Sequence, residues 1–124
     1  MPRFRTAIVR TPCKNLFKGL SGSSTTHEPV DYKLALAQHK EYVSALKTSG
    51  CQVIQLPPIE NYPDSCFVED TAVCIGNNNV MFTNPGASSR VGEVDFIKTC
   101  FANFKTQATI KSPGTLEGTK KEVL

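Results

Sequence analysis

The sequence has no apolar run that approaches the roughly 18–20 residues of a membrane-spanning helix, so we expect no membrane partner. It also lacks the apolar segment that follows the basic residues of a secretory signal. Apolar residues make up 40% of the chain and charged residues 20%, which is typical of a globular protein rather than a disordered one. The composition therefore predicts a soluble, cytoplasmic chain with a hydrophobic core.

Metal-binding and disulfide spacings are absent as well. The five cysteines are an odd number, and none belongs to a CxxC or CxxH pair. This usage argues against a disulfide framework and against a zinc site, and it favours reduced thiols. We expect neither a metal ion nor another cofactor.

The first 27 residues contain no acidic side chain. Their basic, serine- and threonine-rich composition would fit a mitochondrial transit peptide, although Phe4–Arg10 already has the pattern of a first strand. Nucleic-acid binding has less support, because only Phe4 and Phe17 are interleaved with the basic residues and Gly19–Thr26 lacks the Gly-Lys-Ser/Thr of a phosphate loop. We therefore predict no nucleic-acid partner.

The predicted elements follow the order β-α-β-β-β-α-β, which indicates an α/β chain. The predicted strands are Phe4–Arg10, Cys51–Leu56, a buried strand over 66–75, Val80–Thr83 and Gln107–Ile110. Gly76–Asn79 is the expected turn of a hairpin. One helix should begin after the N-cap Asp31 and stop at Gly50, and a second amphipathic helix should cover Val94–Phe104. The residues expected on the buried face of the first helix are Ala35, His39, Tyr42, Val43 and Leu46.

The densest chemical signal is the segment Pro63–Asp70, which holds the three carboxylates Asp64, Glu69 and Asp70 beside apolar residues. A buried carboxylate without a partner costs several kcal/mol, so each acid needs a cation or several N–H donors. A guanidinium satisfies a carboxylate through two parallel hydrogen bonds. From spacing alone, the acids could equally meet solvent, pair with a basic residue such as Arg90, or bind a metal, although no calcium-loop glycine supports a metal.

Several motifs in their order along the chain resemble those of the dimethylarginine dimethylaminohydrolases, members of the guanidino-group-modifying superfamily. The motifs are Arg-Thr-Pro at 10–12, Gly-Leu at 19–20, Leu-Pro-Pro at 56–58, Asp-Ser-Cys-Phe-Val-Glu-Asp at 64–70, Pro-Gly-Ala-Ser-Ser-Arg at 85–90 and Pro-Gly-Thr-Leu-Glu at 113–117. The resemblance runs from about residue 4 to residue 118, with 119–124 as a divergent tail. It implies a pentein-type α/β propeller, of which this chain would form an incomplete part with about two of the family's five blades.

The resemblance also implies a reaction, the hydrolysis of Nω-methylated arginine to citrulline and a methylamine. A cysteine thiolate would attack the guanidinium carbon to give a covalent thiouronium intermediate, and a histidine would protonate the leaving amine and activate water. It further implies a part in arginine metabolism and in nitric oxide regulation. The expected ligand is therefore a small methylated arginine.

Site residues follow from the resemblance one position at a time. Asp64 and Asp70 resemble carboxylates that bind the substrate guanidinium, with Glu69 beside them. Arg90 resembles an arginine that binds the substrate's α-carboxylate, and Leu20 resembles a residue that covers the amino-acid end. In the same way, a supporting acid that pairs with the guanidinium and the catalytic histidine corresponds to Glu117.

The match departs from the family pattern after Gly118: the family motif continues with Gly-Asp after the acid that corresponds to Glu117, whereas Gly118 is followed here by Thr-Lys-Lys. The histidine and the nucleophilic cysteine of the family come later than this position, and neither His39 nor Cys66 is expected to replace them. We therefore predict no turnover by this chain alone, and self-association or pairing with a complementary fragment. The alternative function is a non-catalytic form that binds arginine-like ligands or the full-length protein.

Overall fold

The computed structural model describes residues 4–19 and 30–117, and the chain divides into two compact units, Met1–Cys66 and Phe67–Leu124. Within the described residues, five strands and one α-helix give an α/β fold, which confirms the predicted class. The elements are β1 (Thr6–Arg10), α1 (Tyr32–Thr48), β2 (Gln52–Leu56), β3 (Ala72–Gly76), β4 (Asn79–Phe82) and β5 (Thr106–Thr109). The predicted tail at 119–124 lies outside the described residues.

The first unit is a β-α-β arrangement. Strands β1 and β2 pair in parallel, with Thr6 opposite Gln52 and Arg10 opposite Leu56. Parallel neighbours need a crossover connection, and α1 lies between the two strands in the chain. The predicted first and second strands are therefore confirmed, each beginning one or two residues later than expected.

Helix α1 has the termini that its sequence predicts. The side chain of Asp31 accepts a hydrogen bond of 3.1 Å from the backbone N–H of Leu34, which satisfies one of the unpaired donors of the first turn. Gly50 follows the last turn with a φ of 97°, a conformation that glycine adopts without a Cβ penalty. Val43 is buried as expected on the inner face, but the prediction for Tyr42 is wrong because 56% of this residue is exposed.

A short 3-10 helix after β1, Lys14–Lys18, is held by the loop that follows β2. The backbone N–H of Lys14 donates to the carboxylate of Glu60 at 3.1 Å, and the amide of Asn15 donates to the carbonyl of Glu60 at 3.0 Å. Cys13, which precedes this helix, is 1% exposed. These contacts hold the segment that follows β1 against the loop that follows β2 within the first unit.

The second unit is built on a hairpin. Strands β3 and β4 are antiparallel and are joined by Asn77 and Asn78, whose φ angles are 53° and 60°. Positive φ at both central residues is the signature of a type I′ turn, which asparagine tolerates better than most residues. The predicted hairpin is confirmed.

Strand β4 is the central strand, because β5 pairs with its other edge in parallel. Two consecutive 3-10 helices, Ser88–Phe96 and Lys98–Phe101, provide the crossover between them. Phe82 of β4 meets Phe101 edge-on with ring centroids 5.8 Å apart. The buried apolar residues of this unit are Val80, Phe82, Val94, Ile97 and Phe101.

Two predicted elements of the second unit are wrong in type. The stretch 66–75 is not one buried strand: Val68–Asp70 is a 3-10 turn, and β3 starts only at Ala72 with its last residues exposed. The turn forms because the hydroxyl of Thr71 donates to the carbonyl of Val68 at 2.6 Å, an alternative to strand pairing that threonine offers locally. Glu69 and Asp70 therefore lie in a 3-10 turn and not in the predicted strand.

The predicted helix over Val94–Phe104 is replaced by the two 3-10 helices of the crossover. Its apolar spacing does identify the core side, since Val94, Ile97 and Phe101 are buried. Hydrogen bonds such as Ile97 N–H to the carbonyl of Val94 span three residues instead of four. Gly92 and the β-branched neighbours favour an α-helix poorly, which is consistent with this shorter repeat.

In the part of the chain that the structure describes, no helix combines the length and the apolarity needed to cross a bilayer.

Replacement of the N-cap, Asp31→Ala, should reduce the free energy of unfolding by about 1 kcal/mol because an N–H donor of the first turn loses its acceptor. Urea unfolding followed by far-UV circular dichroism measures the change. Glu41→Ala, an exposed position in the interior of the same helix, is the matched control and should change stability by less than about 0.5 kcal/mol. Equal effects of the two substitutions would contradict the capping role.

Candidate functional site

Of the two acids in the 3-10 turn Val68–Asp70, one is buried and the other is exposed. Asp70 is 5% exposed, whereas Glu69 lies at the surface. The hydroxyl of Thr83, just past the end of β4, donates to the carbonyl of Asp70 at 2.5 Å, and the backbone N–H of Thr83 donates to the carbonyl of Thr71. The central strand of the unit therefore positions the backbone that carries the Asp70 carboxylate.

Asp70 forms a buried ion pair with Arg90. Nη1 of the guanidinium donates to Oδ2 of Asp70 at 2.6 Å, and Nη2 donates to the carbonyl of Phe67 at 3.2 Å. Arg90 itself is 8% exposed. One side chain from the Ser88–Phe96 helix thus contacts both the residue before the 3-10 turn and the last residue in it.

The remaining edge of the Arg90 guanidinium is taken by Glu93. Nε donates to Oε2 and Nη2 donates to Oε1, both at 2.9 Å, which is the two-pronged geometry expected of an arginine and a carboxylate. The two residues are three apart on a 3-10 helix, where side chains at this spacing lie on the same side. Glu93 is the member of the cluster that the sequence hypothesis missed, although an Arg-x-x-Glu spacing was available as a signal.

The cluster contains more acid than base. Burial alone would lower the pKa of Arg90, but its hydrogen bonds to Glu93 and Asp70 and the charges of these two acids outweigh burial and raise the pKa above its ordinary value. Arg90 therefore stays charged, as arginine does in general. Two carboxylates pair with one guanidinium and Glu69 feels the charges of Asp70 and Arg90, so the excess of negative charge favours a cationic ligand.

Glu69 belongs to the same electrostatic environment. Partial desolvation of its carboxyl raises its pKa above the usual value, even though the residue as a whole counts as exposed. The charge of Asp70 adds to this rise, while the backbone N–H of Glu69 and the charge of Arg90 oppose it. A nearby cation would therefore lower the energetic cost of ionising the Glu69 carboxyl.

Glu117 is anchored to the loop that leads into the Ser88–Phe96 helix. Its Oε1 accepts a hydrogen bond of 2.8 Å from the backbone N–H of Gly86. The adjacent Leu116 forms an isolated antiparallel bridge with Asn84, and the Asn84 amide donates to the carbonyl of Gly114 at 2.6 Å. The 113–117 motif is thereby tied to the 85–90 motif within the second unit.

Asp64 belongs to the first unit, where it is 7% exposed. Its carboxylate packs directly on Gly19, so that a Cβ added at this glycine would overlap Oδ1 of Asp64. The backbone N–H of Gly19 also closes the preceding 3-10 helix by donating to the carbonyl of Leu16 at 3.0 Å. Leu20, the next predicted site residue, lies outside the described residues.

Burial shifts the pKa values of two thiols and one imidazole among the described residues. Burial raises the pKa of the Cys13 thiol, with a smaller rise from the charges of Glu60 and Asp64, and burial also raises the pKa of Cys74. Protonated thiols are weak nucleophiles. Burial lowers the pKa of His39, which packs near Tyr42 on α1 at a ring distance of 6.2 Å.

No group of three histidine, cysteine, aspartate or glutamate side chains within 4–19 and 30–117 is arranged to hold a metal ion. Asp70 and Glu93 are instead engaged with Arg90, and Glu117 with the backbone N–H of Gly86.

The structure brings together some of the predicted site residues. Asp70 and Arg90 are in direct contact, with Glu69 in their electrostatic environment. The assignment of Arg90 to a substrate carboxylate stays a prediction, and the structure adds that Glu93 occupies the Nε–Nη2 edge of its guanidinium. The roles of Asp64 and Glu117 in ligand binding also stay predictions.

A family model and a curated relative point to the same family. The model of the family described as N,N dimethylarginine dimethylhydrolase, eukaryotic, matches residues 12–124. The chain is 41% identical over 116 residues to the N(G),N(G)-dimethylarginine dimethylaminohydrolase of Pseudomonas aeruginosa, a match that covers 92% of this chain and 44% of that enzyme.

Solved structures give the same result. A dimethylarginine dimethylaminohydrolase variant captured as an adduct with S-methyl-L-thiocitrulline matches with a TM-score of 0.84 and 39% identity, over 93% of this chain and 45% of that one. A cysteine-to-serine mutant of the Pseudomonas aeruginosa enzyme complexed with citrulline matches with the same TM-score of 0.84 and identity of 39%. The chain therefore spans less than half the length of the relatives that it matches.

The raised pKa of Glu69 leads to a prediction about stability. A carboxyl whose folded-state pKa exceeds its unfolded value favours folding when protonated, and this contribution is lost as the pH rises through the folded pKa. Glu69→Gln should therefore become more stable relative to the wild type between about pH 4 and about pH 7. Urea unfolding across this range measures the difference.

Glu41→Gln on the exposed face of α1 is the control, and its difference from the wild type should stay flat over the same pH range. A flat curve for Glu69→Gln as well would show that the carboxyl of Glu69 is fully hydrated.

Proposed function

Since the chain belongs to the dimethylarginine dimethylaminohydrolase family, we propose that it carries the substrate-binding part of an enzyme that hydrolyses Nω-methylated arginine to citrulline and a methylamine. The observation that supports this proposal is the buried cluster of Asp70, Arg90 and Glu93, in which acids outnumber the base and Glu69 adds a further carboxylate. A methylated guanidinium is a flat cation that suits such carboxylates.

Asp70 is the acid that we propose binds the substrate guanidinium most directly. Its backbone is fixed by Thr83, and its Oδ2 is already occupied by Nη1 of Arg90. A carboxylate has four lone-pair sites on its two oxygens, so it can accept hydrogen bonds from more than one cation. Holding the guanidinium between Asp70 and Glu69 would orient its central carbon for attack by a thiolate.

The other predicted site residues complete the proposal. Asp64 would supply a further carboxylate to the ligand, and Glu117 would act as the supporting acid that pairs with the guanidinium and the catalytic histidine. Arg90 would bind the substrate's α-carboxylate, with Glu93 occupying the Nε–Nη2 edge of its guanidinium. Leu20 would cover the amino-acid end of the ligand.

For the fold, we propose an incomplete pentein-type propeller in which each sheet of the chain belongs to one blade. The sheets would then associate with a second copy or with a complementary fragment, as exposed apolar residues such as Phe67, Ile75 and Phe96 suggest. The predicted boundary at residue 118, the cytoplasmic location and the part in nitric oxide regulation stay predictions.

A binding-only function is the second candidate, favoured by the raised pKa of the Cys13 and Cys74 thiols. Under this candidate function, the purified chain should release no citrulline from Nω,Nω-dimethylarginine, and the raised pKa makes Cys13 and Cys74 poor nucleophiles. A colorimetric citrulline assay measures this. Citrulline formed in proportion to the amount of chain would contradict the binding-only function and support a complete hydrolase.

Ligand binding tests the site itself. Calorimetric titration with Nω,Nω-dimethylarginine should give a measurable dissociation constant for the wild-type chain and one at least about tenfold weaker for Asp70→Asn, because a charge-assisted hydrogen bond is lost. The control is Asp95→Asn, whose side chain is 79% exposed and forms a surface ion pair of 3.1 Å with Lys98. It should bind like the wild type.

Thermal unfolding of each variant is recorded first, and titrations are made at a temperature where all three are folded. Equal dissociation constants for Asp70→Asn and the wild type would contradict the proposed role of Asp70.

A further inference from the structure

Glu93 is as deeply buried as any acid in the described residues, at 3% exposed, and the resemblance assigns it no role. Both of its carboxylate oxygens accept hydrogen bonds from Arg90. We propose that Glu93 is a positioning residue, which fixes the Arg90 guanidinium so that Asp70 presents its carboxylate to a guanidinium ligand in one orientation. This inference rests on the proposed function for its link to the substrate.

Glu93 cannot reach a ligand by itself while this geometry holds. Its side chain is 3% exposed, and each oxygen points at a nitrogen of Arg90 2.9 Å away. The effect of Glu93 on a ligand therefore passes through Arg90.

The two-pronged contact explains why Glu93 would control orientation as well as charge. A single hydrogen bond leaves a guanidinium free to rotate about the donor, whereas two parallel bonds fix its plane. With Nε and Nη2 held by Glu93, Nη1 is directed at Oδ2 of Asp70, 2.6 Å away. Nη2 also donates to the carbonyl of Phe67, so the same plane supports both ends of the 3-10 turn that carries Asp70.

Loss of the Glu93 charge should therefore affect Asp70 through Arg90. In Glu93→Gln the side chain keeps its shape, but one oxygen becomes an amide nitrogen that cannot accept from Arg90. The guanidinium then loses one of its two fixed bonds, and Asp70 loses a partner of defined orientation. Affinity for a guanidinium ligand should fall by about tenfold, the effect of one charge-assisted hydrogen bond.

The choice of ligands separates this role from a role at the α-carboxylate. Nω-methylarginine carries both a guanidinium and an α-carboxylate, whereas Nω-methylagmatine has the same guanidinium and no carboxylate. Positioning of Asp70 predicts that Glu93→Gln weakens both ligands, including the one that has no carboxylate. If Arg90 and Glu93 served only the α-carboxylate, the affinity for Nω-methylagmatine would be unchanged, and the proposal would be overturned.

A double-mutant cycle adds a readout that a purely structural role would not change. In the Asp70→Asn background, Glu93→Gln should produce little further loss of affinity, because the residue through which it acts is already altered. If the factors by which the two substitutions lower the affinity simply multiply in the double mutant, the proposal is overturned. The titrations use the full chain, at a temperature where every variant is folded, and Asp95→Asn is the control acid of the same helix.

The proposal stays testable even if the wild-type chain binds neither ligand, an outcome that counts against the proposed function. Nuclear magnetic resonance then reads the cluster directly, through solvent exchange of the Arg90 Nε proton and the carboxyl carbon resonance of Asp70. Exchange should be at least about tenfold faster in Glu93→Gln than in the wild type, and the Asp70 resonance should shift, whereas Asp95→Asn changes neither. Unchanged exchange and an unmoved Asp70 resonance in Glu93→Gln would overturn the positioning role.

Discussion

A single buried guanidinium connects the two segments of the second unit that carry its inward-facing acids. Arg90 comes from the crossover between β4 and β5, and it reaches Asp70 and Phe67 on the turn before β3. A buried charge is costly unless its partners are complete, and removal of one partner leaves the other uncompensated. The crossover, the turn and the central strand β4 are therefore constrained together, and this constraint fixes the positions of the acids in the candidate site.

Sequence reasoning found the elements whose signals are local. The cap at Asp31, the positive φ of Gly50 and the Asn-Asn hairpin depend on a few neighbouring residues, and all three are where the pattern indicated. Sequence reasoning failed where two local backbone conformations compete. Thr71 draws the preceding residues into a 3-10 turn, and Gly92 lies in a crossover whose apolar spacing alone resembles an α-helix. Periodicity identified the inward side chains of that crossover but could not decide between hydrogen bonds that span three or four residues.

The candidate site was predictable in its residue types and only partly in its arrangement. Motif resemblance selected Asp70 and Arg90, but the direct bond between them depends on a contact across twenty residues that no spacing reveals. Glu93 was missed because its signal, a carboxylate three residues after an arginine, is common on exposed helices, where it has little effect. Burial is what gives the same spacing its importance here, and burial is a property of the folded unit.

The close packing of Gly19 against the Asp64 carboxylate makes two positions of the first unit interdependent in evolution. A side chain at position 19 would occupy the volume that the carboxylate now fills, so the glycine cannot drift while the acid is retained. Conversely, a lineage that loses the acid relaxes the restriction on the glycine. We therefore expect the two residues to be inherited together, and a homologue that has both should keep the same packing of Asp64 on the backbone at position 19.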